Sequence, residues 1–74
     1  MSAASEAALR GVDGALTDAV AKVSETYELC LIDANGDAAK EAVCKAIRDR
    51  GLANAGRTYT DMQAAVKLQF PSSF

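Results

Sequence analysis

Between Leu16 and Leu31 the large side chains return every three or four residues, at Leu16, Val20, Val23, Tyr27, Cys30 and Leu31. That interval is the period of an α-helix with one apolar face, and no alternating strand pattern competes with it elsewhere in the chain. Thr17, Asp18, Lys22, Ser24, Glu25 and Glu28 fall largely on the other faces. The spacing predicts a helix over about residues 15–32. Asp33-Ala34-Asn35-Gly36-Asp37 follows as a turn, because Asn and Gly tolerate the left-handed conformation and Asp37 can cap a following helix. A second helix is expected over residues 38–50, with Ala39, Val43, Ala46 and Ile47 as its apolar stripe and Gly51 as its stop. Arg48 and Arg50 suit the negative end of its dipole. Two such helices make an antiparallel hairpin over about residues 15–50. Its expected core seam is Leu16, Val20, Val23, Tyr27, Val43 and Ile47.

The flanks read as shorter pieces. Ser2 is placed to cap a helix over residues 2–10, with Gly11 ending it and Gly11 to Gly14 forming a corner. Residues 52–57, with Asn54 and Gly56, read as a loop. Thr60 and Gln63 then match a capping box that opens a short third helix running to about Gln69. Pro71 disfavours a helical Phe70, so the helix must stop and residues 70–74 form an extended tail. The C-terminal helix and tail together occupy 58–74. The expected fold is therefore all-α, one small domain over 1–74: a helical hairpin with short flanking helices and an extended C-terminal tail.

Composition bounds what such a fold can do. The chain is 50% hydrophobic, but sixteen of those residues are Ala, which favours helix while burying little area. Leu, Ile, Val and Phe number only 15 of 74. Domains this small and thinly cored usually lean on a disulfide, a metal or a partner surface. With no His and two Cys, a metal is not expected and no cofactor is assigned. The net charge of −2 argues against nucleic acid, which normally needs a basic face. No apolar run reaches the 18–20 or so residues that span a bilayer, so no transmembrane segment is expected and the chain is expected to be soluble. MSAASEAALR lacks the basic and apolar regions of a secretory leader.

Two constellations bear on chemistry. Cys30 lies in the stripe of the first hairpin helix and Cys44 beside Val43 on the second, so they are either a disulfide across the hairpin or two buried thiols. Measured from the expected turn, they are offset by about 6 Å along the helices, so pairing requires a close approach, which Ala42 and Ala46 would permit. Asp33, Asn35 and Asp37 copy the first oxygen positions of an EF-hand loop. Ala38 and Cys44 stand where that loop needs Gly and Glu, leaving a weak calcium cluster as the alternative to a capped turn. No catalytic set is present: there is no His, no CxxC, no phosphate-binding glycine loop and no nucleophile elbow. An enzyme is not expected.

The tail is the other marked feature. Leu68, Phe70, Pro71 and Phe74 put apolar groups on a segment too short to fold on itself. They either close over the hairpin or enter pockets of a partner, as interface aromatics do.

LTDAVAKVSETYELC (Leu16–Cys30) and the return to Cys44 resemble the small chloroplast linker proteins that tie glyceraldehyde-3-phosphate dehydrogenase to phosphoribulokinase. The resemblance covers Leu16–Arg50 and implies a redox-conditional helical hairpin closed by Cys30 and Cys44, in a chloroplast. The family's Trp-containing signature and C-terminal cysteine pair are missing, so its enzyme-binding residues do not transfer to this chain. The functional expectation is an accessory or linker subunit that packs its helices and aromatic tail on a larger protein assembly. A disulfide-conditional scaffold of chloroplast enzymes and a weak calcium-binding hairpin are the alternatives.

Overall fold

A computed structural model describes residues 2–73. The chain is all-helical, and its helices are two rather than four. α1 spans Ala3–Ala34 and α2 spans Ala38–Gln69, 32 residues each, followed by a 3₁₀ turn at Pro71–Ser73. The two long helices lie antiparallel, giving a rod of 53 × 15 × 11 Å. Two helices side by side, with no third packed on them among the described residues, make a single helical layer.

Local chemistry accounts for the ends. Ser2 Oγ accepts the Ser5 N–H at 3.1 Å, and the Ser5 hydroxyl donates to the Ser2 carbonyl at 2.9 Å. Asn35 stops α1 with φ 48° and ψ 47°, its N–H reaching the carbonyls of Leu31 and Ile32, and Gly36 follows at φ 84°. Asp37 caps α2, its Oδ1 accepting the N–H groups of Ala39 and Lys40 at 2.9 and 3.1 Å. The Phe70 N–H still reaches the Val66 carbonyl at 2.9 Å. Phe70 then leaves the helix at φ −125° because of Pro71, whose fixed φ suits the start of the 3₁₀ turn. The tail through Ser73 is therefore a compact turn and not an extended strand.

The corner at Gly11–Gly14 and the loop at 52–57 do not exist: both stretches continue as helix. Gly in a helix interior costs about 1 kcal/mol relative to Ala. That cost is offset by keeping both helices in register along their whole length. Val12, between the two glycines, is buried, and so is Ala55, between Asn54 and Gly56. The threonine expected to cap a third helix instead donates its hydroxyl back to the Gly56 carbonyl at 3.1 Å within α2.

The seam is also placed differently from the expected one. On α1 the inward positions include Ser5, Val12, Leu16, Val23, Cys30 and Ala34, spaced by sevens and fours. On α2 they include Cys44, Gly51, Ala55, Met62 and Val66. Val43 and Ile47, expected inside, are 58% and 46% exposed, and Val20 is exposed on α1. The inward face of α2 is one residue round from the stripe of large side chains, and from Cys44 through Gly51 to Ala55 its centre is made of small ones. Small residues win because they let two backbones come close.

A Cβ at Gly11 or Gly14 would meet nothing within 4 Å. Gly11→Ala and Gly14→Ala should therefore each stabilise the hairpin by about 0.5–1 kcal/mol. Urea denaturation followed by circular dichroism measures this. Destabilisation by either would show that the helix is broken there, as the sequence alone suggests.

Candidate functional site

The two cysteines come together. Cys30 and Cys44 lie in disulfide geometry with Cα atoms 5.7 Å apart, 14 residues apart in sequence. The expected offset shrinks because α1 continues to Ala34. Cys30 is then four residues before the end of α1 and Cys44 six after the start of α2, a difference of about 3 Å along the axis. The Asn35-Gly36-Asp37 turn and the small residues of α2 bring the backbones within reach. Cys44 is buried and Cys30 half-buried.

Seven residues further along α2, Gly51 sits against Val23. A Cβ at Gly51 would lie 2.9 Å from Val23 Cγ2 and 3.3 Å from its Cγ1. The cysteine pair and the Val23–Gly51 contact make one clasp that sets the spacing and register of the two helices. Above it, Arg48 places its guanidinium carbon 4.6 Å from the centre of the Tyr27 ring, a cation–π contact. Arg48 also bonds Asp49 at 3.1 Å, in a pair too exposed to matter much to stability. Val23, Thr26, Tyr27 and Ile47 line a groove of about 210 Å³ along the clasp, smaller than the 300 Å³ or so typical of small-molecule pockets.

Towards the open end a second polar contact crosses the seam. The Tyr59 hydroxyl donates to Asp13 Oδ1 at 2.9 Å, and Gln63 Nε2 donates to Tyr59 in turn, also at 2.9 Å. The Tyr59 pKa is raised above its ordinary value, first by that hydrogen bond to the Asp13 carboxylate, which favours the protonated phenol, then by burial and by the nearby negative charge.

The residues singled out from sequence thus divide. Cys30 with Cys44 meet, and Leu16, Val23 and Tyr27 are half-buried along the seam, while Val20, Val43 and Ile47 stand outside it. Of the C-terminal group, Leu68 is 83% exposed, Phe70 is half-buried and Pro71 exposed. Phe74 lies outside the described residues. Of the turn's side-chain oxygens, Asp37 Oδ1 is engaged by two backbone N–H groups at the start of α2, and among the described residues no three His, Cys, Asp or Glu side chains converge on a metal-sized site. Sequence reasoning missed Gly51 and Ala55 as contact residues, and missed the Asp13–Tyr59–Gln63 link. The signal for the first was the spacing Cys44, Gly51, Ala55 running on to Met62 and Val66, which is helical but opens with residues too small to register as a hydrophobic stripe.

No helix among the described residues is long and apolar enough to cross a membrane. Comparison with protein-family models, curated proteins and solved structures finds no match to this chain.

Proposed function

We propose that this chain is a small, non-enzymatic accessory or linker subunit that packs its helices and C-terminal segment on a larger protein assembly. The observation that carries this reading is the single helical layer, with Leu68 at its open end left 83% exposed. A domain normally closes its apolar surface between two layers, and the described residues form one. Phe70, half-buried beside exposed Leu68 and Pro71, offers an apolar corner to a partner. Burying one such side chain is worth about 1.5–3 kcal/mol.

The test begins with a gentle pull-down that identifies the assembly and continues with purified components at fixed salt. Truncation after Gln69 and Leu68→Ala should each weaken association at least about tenfold, near 1.4 kcal/mol, with helical content retained. Leu68→Ala guards against loss of Phe70 packing, because Leu68 touches solvent and not the seam. Unchanged affinity in both variants would sink the anchor.

The geometry of Cys30 and Cys44 favours one other reading, a scaffold whose fold depends on oxidation of that pair, as the resemblance to the chloroplast linker proteins implies. In that case association would be lost under reductant in parallel with the helical signal, whereas a simple accessory subunit keeps its partner as long as it stays folded.

A further inference from the structure

The two sides of the helical layer differ. On one, this chain's own polar groups lie across the seam: Arg48 over Tyr27, and Tyr59 bonded to Asp13 and Gln63. The other side is set by the residues that directly precede the paired cysteines. Leu29 and Val43 are each one residue, and so about 100° of helical rotation, before Cys30 and Cys44. In an antiparallel pair, equal rotations in the same sense bring both side chains to the same side. Ile47, one turn beyond Val43 on the same flank of α2, extends the row from the edge of the groove it lines beside the clasp. These three are 60%, 58% and 46% exposed, an apolar patch centred on the clasp. Asp33 and Lys40 border the same side at the turn end, around a groove they share with Val43 and the cysteines. The ion pair found among the described residues joins Arg48 to Asp49 and leaves both of them out.

We infer that this face is covered by a second copy of the chain, forming a four-helix bundle about a two-fold axis parallel to the helices. The first argument is area. A compact monomer of 7.7 kDa would expose about 4,300 Å². This chain exposes 5229 Å², about 900 Å² more, so the rod as a whole carries spare surface of the order of the 800 Å² or so that each partner buries in a stable interface. The second argument is self-complementarity, which any two-fold contact requires. Residues whose numbers sum to 74 lie level across the hairpin, as Cys30 with Cys44 and Val23 with Gly51 show. A two-fold axis along the rod lays α1 of one copy on α2 of the other at the same level. Leu29 then falls between Val43 and Ile47 of the second copy, and Asp33 faces its Lys40, each contact occurring twice. The four helices keep antiparallel neighbours throughout, the common arrangement of such bundles. This contact uses neither Leu68 nor the C-terminal turn, and its test needs no other protein.

Sedimentation equilibrium of the purified full chain under oxidising, low-salt conditions should give twice the 7.7 kDa chain mass. Val43→Glu combined with Ile47→Glu should give a monomer of unchanged helicity, since both positions are at the surface. Asp33→Lys alone and Lys40→Asp alone should each weaken the dimer about fivefold by setting like charges face to face. An equimolar mixture of these two variants should prefer the mixed dimer, in which both pairs are again opposite. A wild-type monomer would leave the face to some other protein and overturn the proposal. So would a dimer indifferent to the two glutamates, or a mixture with no preference for the mixed species.

Discussion

Gly51→Val is expected to destabilise the hairpin by about 2 kcal/mol, although valine is the better helix former. The propensity gain is a few tenths of a kcal/mol. Against it, even the first carbon of the new side chain would sit 2.9 Å from Val23 Cγ2. Val23 cannot turn away cheaply, because a β-branched residue in a helix has one strongly preferred rotamer. The helices cannot spread cheaply either, because the cysteine pair holds their Cα atoms at 5.7 Å seven residues away. Overpacking of this kind costs about 1–3 kcal/mol. Urea midpoints for the wild type, Gly51→Val, Val23→Ala and the double variant form a cycle that isolates the contact. The double variant should recover most of the loss relative to Gly51→Val. If Gly51→Val melts like the wild type, the helices are not in close approach at this level and the clasp is misdescribed.

Reduction is expected to have the larger effect. Closing a loop of about 15 residues restricts the unfolded chain enough to stabilise the fold by about 3 kcal/mol on a chain-entropy argument. For a chain with so few large apolar residues, that is a substantial part of a total stability that small domains seldom raise beyond about 3–5 kcal/mol. Adding reductant should lower the urea midpoint accordingly, and Cys30→Ser should match the reduced protein with no further response to reductant. The variant and the reductant together separate the bond from any general effect of the reagent. Coincident curves for oxidised and reduced protein, or thiols that react freely in the folded unreduced chain, would remove the disulfide and with it the oxidation-dependent reading of function.

These two predictions fall on residues of very different legibility. Cys30 and Cys44 were visible as a candidate pair because they flank a recognisable turn, and the turn itself was readable residue by residue: Asn35 and Gly36 for their backbone freedom, Asp37 for its side-chain oxygen. Gly51 read as a helix stop, as did Gly11, and neither is one. A glycine weakens a helix without ending it when the flanking residues have a partner to pack on. Val12 and Ala55 have one, and a linear reading has no way to include contacts between residues over forty apart, such as Tyr59 with Asp13.

The sequence by itself determined that this chain is helical, that it turns within residues 33–37, and that Ser2 and Asp37 open helices. All of these follow from periodicity and from hydrogen bonds within four residues, which travel with the local sequence. Only the tertiary structure decided how long the helices are and which face of α2 turns inward. Hydrophobic spacing on α2 pointed to Val43 and Ile47, but burying them would hold the backbones apart. Turning α2 by one residue puts Cys44, Gly51 and Ala55 inward, so the helices close on each other and the large side chains are left outside. The distance between two backbones chose the buried face, and that distance belongs to the pair of helices rather than to either one.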